Sequence, residues 1–534
     1  MNYSLNFKDF DSYIRETLKR NYLFLLILIL GSFLRLYKLG DKSLWMDELI
    51  LVYKVINYDN IITALNYRSY TSPMEILSIY YPINLGNNSD FFLRFPYAIF
   101  SILSICLVYL LVRELFNKKT ALVSAFIFSI SPILIWYAQE GRIYSLFIFM
   151  SLLSAIFFIK TIKKTSTKNL LLFTIFTFLL LITHLFATLM VFVEFLYFLT
   201  IILSDKIKLP DKINLQNYDI SCFKPLNIFF SFLVMGMLYL PYLLNSIAPI
   251  FLQSGLNYGN ENLIPRIYQT FGTYTVSLGY FPIAEQLGNF NSIFFVIVVL
   301  FFIALLLAGI YYTFRQNAYE SFFLFLWLFA PMSICVIVNL LTGKSIFVER
   351  YLLFCITPYL IFISGGILCL NDKIISFISN KKPIKKRDLF CRYYYIVIVV
   401  LILISLFYIP MIFYGYQIEK QDWKGTAEFL NNFSESEDKI IFIGMGNDDY
   451  FRNYYSGSSD IFYLPQNVEE IKFEIMNNSE NYRKTWLVVS PHNGVTCDFK
   501  DFFDNYTLEK EAYDRRYIPN TGNYILRGAV FSIS

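Results

Sequence analysis

Trp136-Tyr137-Ala138-Gln139-Glu140-Gly141-Arg142-Ile143-Tyr144 is a polar knot between two apolar runs, near residues 120–137 and 143–160. Each run approaches the ~20 apolar residues that a helix needs to cross a bilayer. Any polar turn would join two such helices, and Gly141 suits one. Glu140 and Arg142 at so tight a junction, flanked by aromatic rings, exceed what a turn requires. Charges close to a bilayer are costly, and where they occur they are paired or functional.

The same alternation of apolar run and short polar junction extends in both directions. Further helices are expected near 21–38, 92–115, 169–184, 186–203, 226–247, 291–313, 320–341, 351–370 and 393–413, about eleven in all. Only 16% of the 534 residues are charged, the hydrophobic share is 56% and the mean hydropathy is +0.50, too apolar for a water-soluble chain of this length. Residues 1–20 are polar and no small-residue cleavage site follows the first apolar run, so that run is expected to stay as an anchor.

Basic residues orient the chain. Lys8, Arg15, Lys19 and Arg20, then Lys118 and Lys119, then Lys160, Lys163, Lys164 and Lys168, then Lys206, Lys208, Lys212 and Lys224, and finally Lys381–Arg387 fall in alternate segments. By the positive-inside rule these face the cytoplasm, and an odd helix count puts the C-terminus outside. A multi-pass cell-membrane protein is expected, with a cytoplasmic N-terminus. Large outer loops are expected at about 38–91 and 247–291, within a transmembrane domain of residues 1–413. From Tyr414 the composition turns mixed and polar. A helical stretch at Asp422–Phe433 and β-rich runs at Lys439–Ile443, Thr485–Ser490 and Tyr524–Ser534 predict a small extracytoplasmic α/β domain over 414–534. Of seven cysteines only Cys497 falls in an outer segment, so no disulfide framework is expected.

Two more charged clusters fall on the outer side. Asp47 and Glu48 follow the first helix closely, in Ser43-Leu44-Trp45-Met46-Asp47-Glu48; they read either as a solvated loop or as carboxylates held at the membrane surface, one of them a general base. Lys344 and Glu349-Arg350-Tyr351 sit at the outer start of a helix. Arg350 is either a snorkelling anchor or, on the face opposite the usual basic one, a phosphate ligand whose guanidinium matches phosphate geometry. His184 lies at the outer end of a helix, where a hydrogen-bonded structural role competes with ligation. Glu194, inside the next helix, is expensive there and has no assigned role. The three clusters together suggest one outer-surface cavity for an amphipathic substrate with an anionic head and a lipid tail.

These stretches resemble the GT-C membrane glycosyltransferases, relatives of the protein O-mannosyltransferases and of the aminoarabinose transferase of lipid A. The resemblance runs through Phe33–Gly40, Leu44–Glu48, Phe92-Leu93-Arg94-Phe95-Pro96, Ser131–Tyr144, Thr183-His184, Glu349–Leu353 and Lys420–Ala427, in order along most of the chain. It implies a GT-C-like polytopic α-helical fold and inverting transfer of a sugar from a polyprenyl- or dolichyl-phosphate carrier to a hydroxyl outside the cytoplasm. Asp47 is the catalytic carboxylate by this resemblance, supported by Glu48. Glu140, Arg142, Tyr144, His184, Lys344, Arg350 and Tyr351 would bind donor or acceptor. The implied partners are the lipid-linked donor, membrane lipids and a protein, lipid or glycan acceptor, with no nucleic acid. Where many members carry His-Pro-Pro in the first loop, this chain has Tyr70-Thr71-Ser72-Pro73-Met74-Glu75; the histidine is absent, and Glu75 is a candidate to compensate for it. Some relatives use a divalent cation, and no cofactor is assigned here. The rival from another class, a transporter or flippase of lipid-linked sugars, predicts internal symmetry and mid-membrane charge; no repeat is evident, and the charges gather at one face.

Overall fold

The computed structural model describes residues 7–56, 61–62, 72–85, 89–207, 224–244, 263–276, 288–342, 346–381, 386–417, 422–443, 451–452, 454–464, 468–477, 482–489, 507–510, 516–517, 524–525 and 530–533. Two compact units emerge. The first holds Met1–Tyr37, Tyr67–Ser78 and Phe95–Tyr416; the second holds Lys38–Asn66, Ile79–Arg94 and Gln417–Ser534. Lys38–Asn66 and Ile79–Arg94 thus group with the C-terminal segment.

The helices in chain order are α1 (Phe7–Leu36), α2 (Met46–Ile56), α3 (Pro73–Leu85), α4 (Asp90–Leu115), α5 (Lys118–Ile130), α6 (Pro132–Ala138), α7 (Tyr144–Lys163), α8 (Thr167–Leu181) and α9 (Ala187–Ile207). Then come α10 (Pro225–Tyr242), α11 (Leu263–Val276), α12 (Gly288–Gln316), α13 (Ala318–Thr342), α14 (Ile356–Lys381) and α15 (Lys386–Gln417). Among the described residues, seven helices are long and apolar enough to cross a membrane, eight if α5 and α6 form one bent span. Three shorter apolar helices, Asn21–Leu36, Thr167–Leu181 and Val397–Phe413, add to them. This is the make-up of a multi-pass membrane protein.

Three sequence expectations are corrected. The run expected as one helix at 120–137 is broken by 60° between Ile130 and Pro132. Pro132 has no N–H to continue the ladder, so it opens a new helix at its first turn instead. The freed carbonyls at the end of α5 are not left bare: Arg35 of α1, fully buried, donates from Nη1 to Ser129 O at 2.8 Å and from Nη2 to Phe128 O at 3.2 Å, and from Nε to Ser101 Oγ at 2.7 Å. Next, helices expected to be nearly continuous at 185 are parted over residues 182–186, which places His184 in a junction. Finally, the outer loops expected at 38–91 and 247–291 contain helices α2, α3 and α11.

Helices α7 and the span Leu353–Ser376 are the most enclosed, with 78% and 94% of their apolar windows buried. Polar side chains would be expensive on so central an element, and α7 meets its partners through aromatic rings and small hydroxyls. Helices α12 and α14 approach so closely that a Cβ on Gly309 would lie 1.7 Å from Phe362 O, and one on Gly366 would lie 2.1 Å from Leu305 O. At the end of α7 away from Tyr144, Lys163 Nζ lies 3.0 Å from buried Glu320 of α13 and donates to Glu114 O of α4 at 3.0 Å, tying three helix ends together.

In the second unit, α16 (Trp423–Phe433), β1 (Lys439–Ile443), β2 (Asp460–Leu464), α17 (Val468–Asn477), β3 (Thr485–Val489), β4 (Thr507–Lys510), β5 (Arg516–Tyr517), β6 (Tyr524–Ile525) and β7 (Val530–Ile533) follow. Five strands form a sheet in the order β2-β1-β3-β7-β4, with parallel pairing among β2, β1 and β3 and antiparallel pairing of β7 with β3 and β4. Every residue of β1 and β3 is buried, as expected for inner parallel strands covered on both faces. Helix α16 covers one face through Trp423 on Phe442 and Phe429 on Trp486. Asp438 accepts from Arg483 and from Trp486 Nε1; these bonds outweigh burial and hold its carboxyl below the usual range.

Candidate active site

The second unit contains the acidic pair. Helix α2 begins directly after Trp45, so Asp47 and Glu48 occupy its first turn, where the unpaired N–H groups favour negative charge. The two diverge from there. Asp47 is half-buried, whereas Glu48 is fully buried and forms a two-pronged ion pair: Arg94 Nε donates to Oε1 at 2.9 Å and Nη2 to Oε2 at 2.7 Å. Glu48 also accepts from Trp45 N at 3.2 Å, closing the helix start. The rest of the Arg94 fork holds the preceding chain, Nη1 donating to Lys42 O at 2.8 Å and Nη2 to Ser43 O at 2.9 Å. Glu48 is thus committed to fixing the helix that carries Asp47.

The chain before α2 is gripped from its other edge as well. Leu44 N donates to Tyr454 Oη at 3.0 Å, Tyr454 donates to Asp90 Oδ1 at 3.0 Å, and Lys424 N donates to Ser43 Oγ at 3.1 Å. Burial and the neighbouring Asp90 carboxylate push the Tyr454 phenol up, so it stays protonated and available as a donor. Gly40, 3.0 Å from Phe91 by the position its Cβ would take, lets the loop turn back against α4.

The first unit gathers the cationic side chains. Residues 139–143 join α6 to α7, and Arg142 lies 3.2 Å from Glu75 at the start of α3, one-fifth exposed against 2% for its partner. Ser72 caps α3 and accepts from Glu75 N at 3.1 Å. Glu140 is buried in the same junction, and Tyr144 lies within electrostatic reach of Arg142, Arg350 and Glu140.

Arg350 and Tyr351 lie in a turn before a short 3-10 segment, Leu353–Cys355, that leads into α14. Helix α11 braces that turn: Tyr274 Oη donates to Leu352 O, and Thr275 Oγ1 lies 2.6 Å from Tyr359 Oη. The Arg350 guanidinium sits 5.4 Å from the centre of the Tyr351 ring. His184 joins this group, with its ring stacked on Phe147 at 4.9 Å and 5.2 Å from Tyr351. Its Nδ1 accepts from Phe186 N at 3.1 Å, which puts the ring proton on Nε2. Burial, with the Arg142 and Arg350 guanidinium groups adding to it, pushes His184 down to about 3. The imidazole is neutral, and the positive charge of the cluster belongs to the arginines.

Arg142, Tyr144, His184, Arg350 and Tyr351 thus fall in one unit, while Asp47 and Glu48 belong to the other. Lys344 lies outside the described residues. Arg94 and Tyr454 carry interactions to which the sequence assigned no role, and the pairing of Glu75 with Arg142 was not foreseen. Arg94 and Glu75 had a signal, a full charge within or beside an apolar helix; Tyr454 had none. Glu194, buried in α9, accepts from Ser154 Oγ at 2.6 Å and stands apart from this cluster in its contacts. Among the described residues no group of three or more His, Cys, Asp or Glu side chains is placed to hold a metal ion.

Residues 72–211 match the profile of the dolichyl-phosphate-mannose-protein mannosyltransferase family. No curated protein matches the sequence significantly. The fold is similar to that of ArnT from Cupriavidus metallidurans in the apo state, with TM-score 0.52 and 11% identity over 97% of this chain and 98% of that one. The ArnT structure bound to undecaprenyl phosphate gives TM-score 0.51, again at 11% identity, over 96% and 98%. The oligosaccharyltransferase AglB from Archaeoglobus fulgidus aligns less closely, with TM-score 0.49 and 13% identity over 88% of this chain and 70% of that one. The chain has the fold of the GT-C glycosyltransferases, and its residues 72–211 carry the sequence pattern of the mannosyltransferase family within that superfamily.

Proposed function

We propose that the protein is an inverting membrane glycosyltransferase whose donor is a sugar on a polyprenyl or dolichyl phosphate. One observation carries the reading: Arg142 and Arg350, with neutral His184 and the phenols of Tyr144 and Tyr351, converge at the ends of apolar helices. That cluster suits an anionic phosphate with a hydrocarbon tail, because a guanidinium fork matches phosphate oxygens and the helices suit the tail. The similarity to ArnT, which binds undecaprenyl phosphate, supports the same choice.

The roles follow from the chemistry. Asp47 takes the proton of the acceptor hydroxyl as its oxygen attacks the anomeric carbon. The new glycosidic bond forms as the bond to the phosphate oxygen breaks, and that bond's electron pair leaves with the lipid phosphate. Direct displacement inverts the anomeric centre. Arg142 and Arg350 stabilise the charge gained by the leaving phosphate, so no general acid is needed. Lys344 belongs to the same donor set. Glu140 belongs with the donor- or acceptor-binding groups, Glu75 pairs with Arg142, and Glu48 holds the helix that carries the base. The reading includes eleven spans, a transmembrane domain over 1–413, an extracytoplasmic C-terminal domain over 414–534, a cytoplasmic N-terminus and a protein, lipid or glycan acceptor.

The test uses purified protein in nanodiscs with tritiated dolichyl-phosphate mannose and an undecaprenyl-phosphate-linked pentose as donors. Label passing into a covalent product marks a transferase, whereas label crossing the bilayer on an unchanged carrier marks a flippase. Asp47→Asn is expected to abolish transfer while undecaprenyl phosphate still binds. Arg142→Met and Arg350→Met are expected to weaken that binding. Full transfer by Asp47→Asn removes Asp47 from the mechanism.

A further inference from the structure

The segment from Lys42 to Trp45 enters α2, and its position decides where α2 starts. Its carbonyl edge is held by Arg94, as described. Its amide edge is held by groups much later in the chain: Leu44 N and Tyr454 Oη meet across 410 residues. Leu44 is completely buried, so its N–H has no water to replace that acceptor. The Tyr454 hydroxyl is used twice, accepting from Leu44 and donating to Asp90 at 3.0 Å, which fixes the phenol in one direction. Lys424 adds a backbone donor to Ser43 Oγ at 3.1 Å and places its ammonium 3.9 Å from Asp90. Asp47 sits three residues beyond Leu44 in the first helical turn, and a helix that starts elsewhere swings its first-turn side chains with it.

The geometry points to Tyr454 as a positioning residue for Asp47, through which the C-terminal segment sets the start of α2 and the stance of the carboxylate. The inference rests on the reading of Asp47 as the base. It gives the C-terminal segment a part in the chemistry itself, beyond presenting an acceptor. Anything that displaces the Tyr454 phenol displaces the base.

The test is Tyr454→Phe in the full-length protein in nanodiscs, with Tyr455→Phe as the control. The neighbouring hydroxyl of Tyr455 bonds Ser459 at 2.8 Å and Ser434 at 3.0 Å, and neither bond reaches residues 42–45. Loss of the buried hydrogen bond to Leu44 that orients the base lowers kcat about tenfold in Tyr454→Phe, leaves KM for the lipid donor unchanged and shifts the acidic limb of the pH profile, the limb that a general base governs. Deuterium uptake across residues 43–50 rises in the same variant, with either donor or with none. Tyr455→Phe keeps the parent kcat, pH profile and uptake. Parent-level uptake in Tyr454→Phe overturns the inference, and so does an equal fall in kcat for both variants. If Asp47→Asn is inactive while Tyr454→Phe has the parent kcat, the inference fails and the function stands. If Asp47→Asn is fully active, the reading beneath it fails instead.

Discussion

Removing Arg94 should harm this protein more than neutralising its partner Glu48, and the asymmetry follows from the bond inventory. Arg94→Met strips Glu48 of a two-pronged cation in a site where the carboxylate is 0% exposed. It also orphans the carbonyls of Lys42 and Ser43, which the guanidinium served at 2.8 and 2.9 Å. Breaking a buried pair by deleting one member costs about 3–5 kcal/mol, because the surviving charge stays buried without compensation. Glu48→Gln keeps the shape and the acceptor for Trp45 N and leaves Arg94 with its carbonyl acceptors. Its cost should be about 1–3 kcal/mol, the range for imperfectly satisfied buried polar groups. The double variant should be milder than the sum of the singles, with a coupling of about 0.5–3 kcal/mol. Thermal unfolding in detergent, read together with proteolytic nicking of residues 38–66, measures all three. Equal losses in the two single variants, or a greater loss in Glu48→Gln, would refute the reasoning.

Three further outcomes are expected. Gly309→Val should prevent α12 and α14 from closing, since even a Cβ would lie 1.7 Å from Phe362 O; gel filtration should show aggregated protein, whereas Gly236→Val, whose Cβ meets nothing within 4 Å, should elute normally. His184 is held at about 3 when folded and titrates near 6.5 when unfolded, so below about pH 6.5 the unfolded chain takes up a proton that the folded one refuses. Stability should therefore fall as the pH drops from about 6.5 towards 3, and His184→Phe should flatten that slope in melts recorded across the range. Glu75→Gln removes a counter-charge 3.2 Å from Arg142 and should tighten undecaprenyl phosphate binding about fivefold, an effect that shrinks with added salt in microscale thermophoresis.

The sequence by itself determined the helices and the chemistry available at their ends. Bilayer-length apolar runs have one low-energy fate, since every backbone group must be satisfied within the segment, so the runs translate directly into helices such as α4, α7 and α9. Asp47, Arg142, His184 and Arg350 were legible as candidates because charge or imidazole beside apolar helices is expensive and therefore rare. Tertiary structure alone decided their partners. Glu48 is 46 residues from Arg94 and Glu75 is 67 from Arg142, and nothing local selects those pairings over others. They are chosen by which helix faces pack together, as is the bond from Tyr454 to Leu44. The break at Pro132 was visible as a residue, but its 60° bend required Arg35, from another helix, to satisfy the carbonyls the break released. Local sequence sets what each helix end offers, while long-range packing sets which offer is taken up.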